Sequence, residues 1–130
     1  MFVDSSVLVA ILSDEEDAGD WAERIEQSPN CVTTPLVVLE STMRLSSKLV
    51  VEPLEVGAVI ARFLADAGIT NVPIEPADTE IAIDAFQRYG KGRGHPARLN
   101  LADCLSYACA RRMGIGLLYK GRDFAETDLA

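Results

Sequence analysis

The sequence predicts an α/β fold, three layers deep, in which a central, mainly parallel sheet lies between helices. Three observations lead there. Short apolar runs alternate along the chain with longer segments whose apolar residues repeat at helical spacing, the pattern of strands joined by helical crossovers. Polar or small residues that cap helices, or a proline suited to a first helical turn, stand where strand should give way to helix. The chain has 130 residues of which 48% are hydrophobic, enough for one domain, residues 1–130, with a real core.

Met1 to Asp4 is read as a strand and Ser6 to Leu12 as a helix. Asp14 to Gln27 is expected to form an acidic second helix that turns Trp21 and Ile25, four apart, inward. A strand around Asn30 to Thr33 leads into a helix opened by Pro35, with Leu36, Val37, Glu40 and Met43 on one side. Leu54 to Ala67 forms a further helix, with Val56, Val59, Ile60 and Phe63 on its inner face. Ile69 to Ile74 reads as a strand and Pro76 to Tyr89 as a helix. After a glycine-rich loop, Ala102 to Met113 is the best-formed helix, capped by Asn100 and with Leu101, Leu105 and Ala108 on one face; Gly116 to Tyr119 is the last strand.

No apolar stretch approaches the ~20 residues of a membrane span, and the start lacks the basic region and long apolar core of a signal peptide. A cytosolic location is therefore expected. Cys31, Cys104 and Cys109 are odd in number and irregularly spaced, which suggests neither a disulfide framework nor a zinc motif. With His95 the only histidine, a metal bound here should be one that takes oxygen ligands, Mg²⁺ or Mn²⁺.

Four carboxylates stand at or inside segments that read as buried or as strand–helix boundaries: Asp4, Glu40, Asp103 and Asp123. Each has a structural explanation of its own. Asp4 can cap the first helix, and Asp103 falls in a first turn where the helix dipole favours negative charge. Glu40 interrupts an apolar stripe, where a lone carboxylate is costly unless a cation such as Arg44 pairs with it. Asp123 lies just beyond a strand and a glycine-containing turn, where open α/β sheets build their sites. Four such coincidences are less economical than one site assembled from distant segments.

Val3-Asp-Ser-Ser6 closing the first strand, Glu40 inside the third helix, Leu99-Asn-Leu-Ala-Asp-Cys-Leu-Ser-Tyr-Ala108 opening a late helix and Leu117-Leu-Tyr-Lys-Gly-Arg-Asp-Phe-Ala-Glu-Thr-Asp128 near the end resemble the PIN-domain ribonucleases. More narrowly, the chain is similar to VapC toxins of type II toxin–antitoxin pairs. The resemblance covers essentially the whole chain, including the loop Tyr89-Gly-Lys-Gly-Arg-Gly-His-Pro-Ala-Arg-Leu-Asn100. It implies a PIN-like fold and a metal-dependent endoribonuclease that hydrolyses RNA phosphodiester bonds, with Asp4, Glu40, Asp103 and Asp123 holding Mg²⁺ or Mn²⁺. Arg122 stands where some members have an acid, and Asp128 is the alternative fourth carboxylate. The resemblance also implies a VapB-like antitoxin as partner, a tRNA or rRNA substrate, a homodimer and a heteromer with the antitoxin. For the antitoxin's tail, the apolar positions at Trp21 to Ile25 and Leu54 to Phe63 offer a groove.

A net charge of −8 argues against sequence-blind nucleic-acid binding by the whole surface. From Ala85 to Ala102, however, there is no acid, while Arg88, Lys91, Arg93, Arg98 and His95 offer positive charge. That stretch is expected to form a basic lip that guides RNA to the acids, with Arg111, Arg112, Lys120 and Arg122 placed to extend it. Ser6 is expected to bind a carboxylate, a metal-bound water or a phosphate. Two other classes remain open. An aspartyl-phosphate phosphatase of the haloacid dehalogenase type would need a second Asp two residues after Asp4, where this chain has Ser6. A catalytically silent PIN-like module that binds RNA or protein would be expected to have lost acids, and this chain has candidates for all four.

Overall fold

Four short strands form a sheet whose neighbours all run parallel: β1 (Phe2–Val3), β2 (Val32–Thr33), β3 (Thr70–Asn71) and β4 (Leu117–Leu118), in the order β3-β2-β1-β4. The computed structural model describes residues 1–130. Phe2 pairs with Val32 on one side and Leu117 on the other, so β1 is central and its carboxyl end is flanked by the ends of β2 and β4. Successive strand residues point to opposite faces, and Phe2, Val3, Val32, Thr33, Leu117 and Leu118 are all buried. Both faces of these three strands are therefore covered, as a parallel sheet requires. The edge strand β3 is exposed at both residues.

Six helices supply the cover: α1 (Ser5–Leu12), α2 (Ala18–Gln27), α3 (Pro35–Leu49), α4 (Pro53–Ala67), α5 (Pro76–Tyr89) and α6 (Leu101–Met113). They pack in sequence-adjacent pairs, α1 on α2, α3 on α4 and α5 on α6, while α3 also packs on α1. β1 and β2 are short because helix caps follow them at once. Asp4 ends β1 by capping α1, and Thr34 ends β2 by capping α3, its hydroxyl accepting from the Val37 N–H.

Several sequence expectations are corrected. Asp14 is not helical: it takes a left-handed backbone with φ of 53°, and α2 begins at Ala18. The acids before it fold into a turn where Glu15 accepts from Lys48 and Lys120 and Asp17 accepts from Lys120 and from the Trp21 indole N–H. The predicted strand over 69–74 contracts to Thr70–Asn71, with Pro73 unable to donate to a ladder. On α3 the buried row is Val37, Ser41 and Leu45, whereas Met43 is 62% exposed. At about 100° per residue, Met43 lies roughly 120° around the helix from Val37. Val59 on α4 and Leu101 on α6 likewise face outward, the inner face of α4 being Val56, Ile60 and Leu64.

Candidate active site

The carboxyl end of β1 delivers Asp4 to the middle of the molecule. Its Oδ2 accepts from the Ser6 N–H at 3.1 Å and from the Ser6 hydroxyl at 2.6 Å, so Asp4 does cap α1. It is also buried, and burial raises its pKa against the pull of the Ser6 bonds and of Arg44. The Ser6 hydroxyl in turn accepts from the Lys120 N–H at 2.9 Å, which ties the start of α1 to the chain just after β4. The Asp4 N–H donates to the Leu118 carbonyl at 3.0 Å and makes a second tie between the same strand ends.

Asp103 is likewise both a helix-end residue and a member of the site. Asn100 Oδ1 accepts from the Asp103 N–H at 2.9 Å while Asp103 Oδ2 accepts from the Asn100 N–H at 3.0 Å, a reciprocal capping box at the start of α6. Burial pushes its pKa up to about 7, the Asn100 N–H pulls the other way, and the charges of Asp4, Asp123 and Glu40 add to the rise. Glu40, half-buried on α3, is raised by burial and by the charges of Asp4 and Asp123. The four acids therefore share one electrostatic neighbourhood, although they come from α3, from the starts of α1 and α6, and from the final loop.

Arg44, expected beside Glu40, makes no ion pair with it. Its guanidinium donates to the Ser5 hydroxyl at 3.3 Å, and its charge acts on Asp4 and Glu40 from there. Asp123 is exposed, on a loop anchored by buried Phe124. Asp128 does not join the group: it accepts from the Tyr107 hydroxyl at 2.7 Å and from Arg111 at 3.0 Å, with Arg88 at 3.5 Å. As the side chains stand, no three His, Cys, Asp or Glu residues form a group able to hold a metal ion. Asp4 and Asp103 each commit Oδ2 to a cap. The donor set nonetheless fits a hard divalent cation. It offers only carboxylate oxygens, it raises the cost of its own ionisation, and a cation would remove that cost.

Beside the acids lies a polar cleft of about 320 Å³ lined by Asn100, Asp103 and Asp123 together with Lys91, Arg98 and Arg122. Of the expected basic lip, Lys91 and Arg98 are thus in place. Arg88 lies outside this cleft, with its guanidinium bound to Asp84 and to the Tyr89 and Tyr107 hydroxyls. Arg93 sits over the Phe86 ring at 5.9 Å, and His95 takes the Ala97 N–H on Nδ1. Among the suggested extensions only Arg122 reaches the cleft: Arg111 is held by Asp128, Arg112 by Asp78 and Lys120 by Glu15 and Asp17. The Lys120 N–H that donates to Ser6 comes from 114 positions further along the chain, and this half of the bridge to Asp4 carries no sequence signal because it uses a backbone N–H.

This sheet and this carboxylate group at its carboxyl edge define a PIN domain. The chain matches the PIN-domain family over residues 1–129 and belongs to it. Among its relatives are a VapC ribonuclease of Rhizobium meliloti (strain 1021), 36% identical over 98% of each chain, and the ribonuclease VapC42 of Mycobacterium tuberculosis, 37% identical over 99% of this chain and 96% of that one. Among solved structures, the fold is shared with M. tuberculosis VapC20, described as a sarcin-ricin loop cleaving toxin, at a TM-score of 0.74 and 17% identity, covering 95% of this chain and 92% of that one. A toxin–antitoxin complex from Klebsiella pneumoniae aligns at a TM-score of 0.71 and 16% identity, over 98% and 92% of the two chains. No helix is long and apolar enough to cross a membrane.

Proposed function

We propose that residues 1–130 act as one nuclease domain, a Mg²⁺- or Mn²⁺-dependent endoribonuclease that is the toxin of a VapBC-like toxin–antitoxin pair and works in the cytoplasm. The observation that carries this reading is the Asp103 carboxyl, whose ionisation is opposed first by its burial and then by the charges of Asp4, Asp123 and Glu40. Acids gathered in this way are neutralised by protons or by a cation, and we infer a divalent ion bound by carboxylate oxygens. The full-length similarity to VapC ribonucleases supports RNA as the substrate.

In this reading Asp4 and Asp103 are the principal ligands, held in orientation by Ser6 and Asn100, while Glu40 and Asp123 complete the set from α3 and the final loop. The ion supplies charge that acidifies water and offsets the negative charge developing on a phosphodiester during hydrolysis. Lys91 and Arg98 draw the RNA backbone toward the acids; Arg93 lies over Phe86 away from the cleft, and the ties of Arg88 favour a role in holding α5 to α6. Ser6 keeps Asp4 aimed and bridges it to the chain after β4.

A VapB-like antitoxin is the expected partner, and the toxin–antitoxin complex among the structural neighbours supports it. Leu54 and Val59, exposed on α4, fit an apolar contact with its tail. A homodimer is supported by Ile83, Phe86 and Leu101, large apolar side chains exposed around an apolar groove between α5 and α6. The test is to purify the chain free of antitoxin and assay cleavage of total RNA with Mg²⁺ or Mn²⁺, with chelator, and with the Asp4→Asn and Asp103→Asn variants. The expected result is metal-dependent cleavage that falls by at least about a hundredfold in both variants, roughly 2.7 kcal/mol of barrier. Cleavage that persists in both, or ignores chelator, contradicts the metal mechanism; absence of cleavage favours the silent RNA- or protein-binding module.

A further inference from the structure

The twelve lysines and arginines of this chain sort themselves by what they touch. Lys48, Arg62, Arg88, Arg111, Arg112 and Lys120 each have a carboxylate partner. Arg24 and Arg93 lie over the rings of Trp21 and Phe86, and Arg44 donates to Ser5. The three that remain, Lys91, Arg98 and Arg122, have neither an ion pair nor a side-chain hydrogen bond, and all three line the one cleft that also contains Asp103 and Asp123. In a chain with 20 acidic residues, cations left without partners beside two of those acids are not an accident of composition. The two signs share a cleft yet stay beyond ion-pair contact, so one side is left to receive an anion and the other a cation.

The backbone points the same way. The loop is closed at its base by the Lys91 N–H to the Leu99 carbonyl at 2.9 Å and the Leu99 N–H to the Tyr89 carbonyl at 2.8 Å. Within it Arg98 takes the left-handed region with φ of 55°, which is uncommon for an arginine. Buried Ala97 and Leu99 on either side fix that turn, so the Arg98 side chain leaves the loop at an imposed place.

We propose that Lys91, Arg98 and Arg122 form a subsite for one backbone phosphate of the RNA strand, the phosphate adjacent to the one that is cut. The inference rests on the reading of the acids as the cutting centre. It divides the basic stretch in two: Lys91 and Arg98, joined by Arg122 from a distant segment, contact the strand, and Arg88 does not. A single phosphate is specified because three donors converge on one cleft instead of spreading along a face. The adjacent phosphate is specified because the cations stand off from Asp103 and Asp123.

The test measures binding without cleavage. In the Asp4→Asn chain, the affinity for a fluorescein-labelled, mixed-sequence ten-nucleotide RNA is followed against NaCl concentration at constant Mg²⁺. Lys91→Gln, Arg98→Gly and Arg122→Gln should each weaken binding and lower the log–log salt slope, and the three combined should lower it by about 0.7, the value for one phosphate contact on a single strand. Arg98→Gly also relieves the left-handed backbone, so loss of binding there cannot be ascribed to loss of folding. Arg122→Lys should restore the slope, while Arg24→Gln, Arg62→Gln and Arg88→Gln should leave it unchanged. The proposal is overturned if the three cleft variants keep the parental slope, if the distant controls lower it as much, or if the Asp4→Asn chain binds no RNA. Failure of the nuclease reading is seen separately, as absence of metal-dependent cleavage by the wild-type chain, and leaves the slopes to decide the subsite.

Discussion

Asp78 and Asp103 occupy the same position in two neighbouring helices and meet opposite fates. Each is the third residue of its helix, α5 or α6, each is buried, and each accepts the N–H of the residue three before it, Glu75 at 2.8 Å and Asn100 at 3.0 Å. Burial tends to raise both pKa values. At Asp78 the guanidinium of Arg112, bound through Nε and Nη2, outweighs burial and the pKa ends below the usual carboxylate value. At Asp103 the neighbours are Asp4, Asp123 and Glu40, and the pKa climbs to about 7. Capping explains what the two have in common; the charge facing the remainder of the carboxylate separates a structural aspartate from a candidate metal ligand. The chain supplies a cation to one and withholds it from the other.

The largest effect should come from breaking the satisfied pair. Arg112→Met leaves Asp78 buried without its partner and should cost about 3–5 kcal/mol in denaturant unfolding at neutral pH. A cost below about 1 kcal/mol would place both aspartates in one category and break the comparison. Next comes the unsatisfied member. Asp103→Asn keeps an acceptor for the Asn100 N–H and removes one charge from the group, so without divalent metal at pH 8 it should stabilise the protein by roughly 1–3 kcal/mol. Destabilisation in the same assay would mean that Asp103 matters chiefly as a cap. The smallest effect is expected at Asp128, a half-exposed acid with several donors. Asp128→Asn should cost under about 1 kcal/mol in chemical unfolding and leave RNA cleavage within about twofold of wild type, which sharpens the distinction from the four clustered acids.

Much of the site was legible because its signals are local. A strand end followed by a cap, as at Asp4, and a cap three residues before an acid, as at Asn100 and Asp103, are written in adjacent residues. The alternation of strand and helix was legible for the same reason. Which edge of a stripe faces inward was not. Met43, Val59 and Leu101 fit their stripes yet point outward, because the neighbouring helix selects the inner edge and periodicity alone does not. The destination of long cations was also hidden. Arg88 sits in an acid-free stretch, but one turn earlier Asp84 waits for it, and Arg111 and Arg112 find Asp128 and Asp78 far along the chain. Arg122 joins Lys91 and Arg98 only because the loop after β4 folds back beside the start of α6.

The central claim is that these acids are built to be neutralised by a bound cation, and pH-dependent stability tests it most directly. A carboxyl whose folded pKa is raised favours the protonated folded state, so its contribution is fullest below the unfolded value and is lost as pH rises from about 4 toward 7. Asp4 and Glu40 shift in the same direction, whereas Asp78 acts in the opposite sense and only at pH below about 4. Unfolding of the wild-type chain should be measured from pH 5 to pH 8, once with chelator and once with millimolar Mn²⁺. The account predicts that the chelated protein loses stability as pH rises and that Mn²⁺ restores it, with the widest gap at pH 8. Stability that is flat or rising in chelator, with no gain from Mn²⁺, would contradict it.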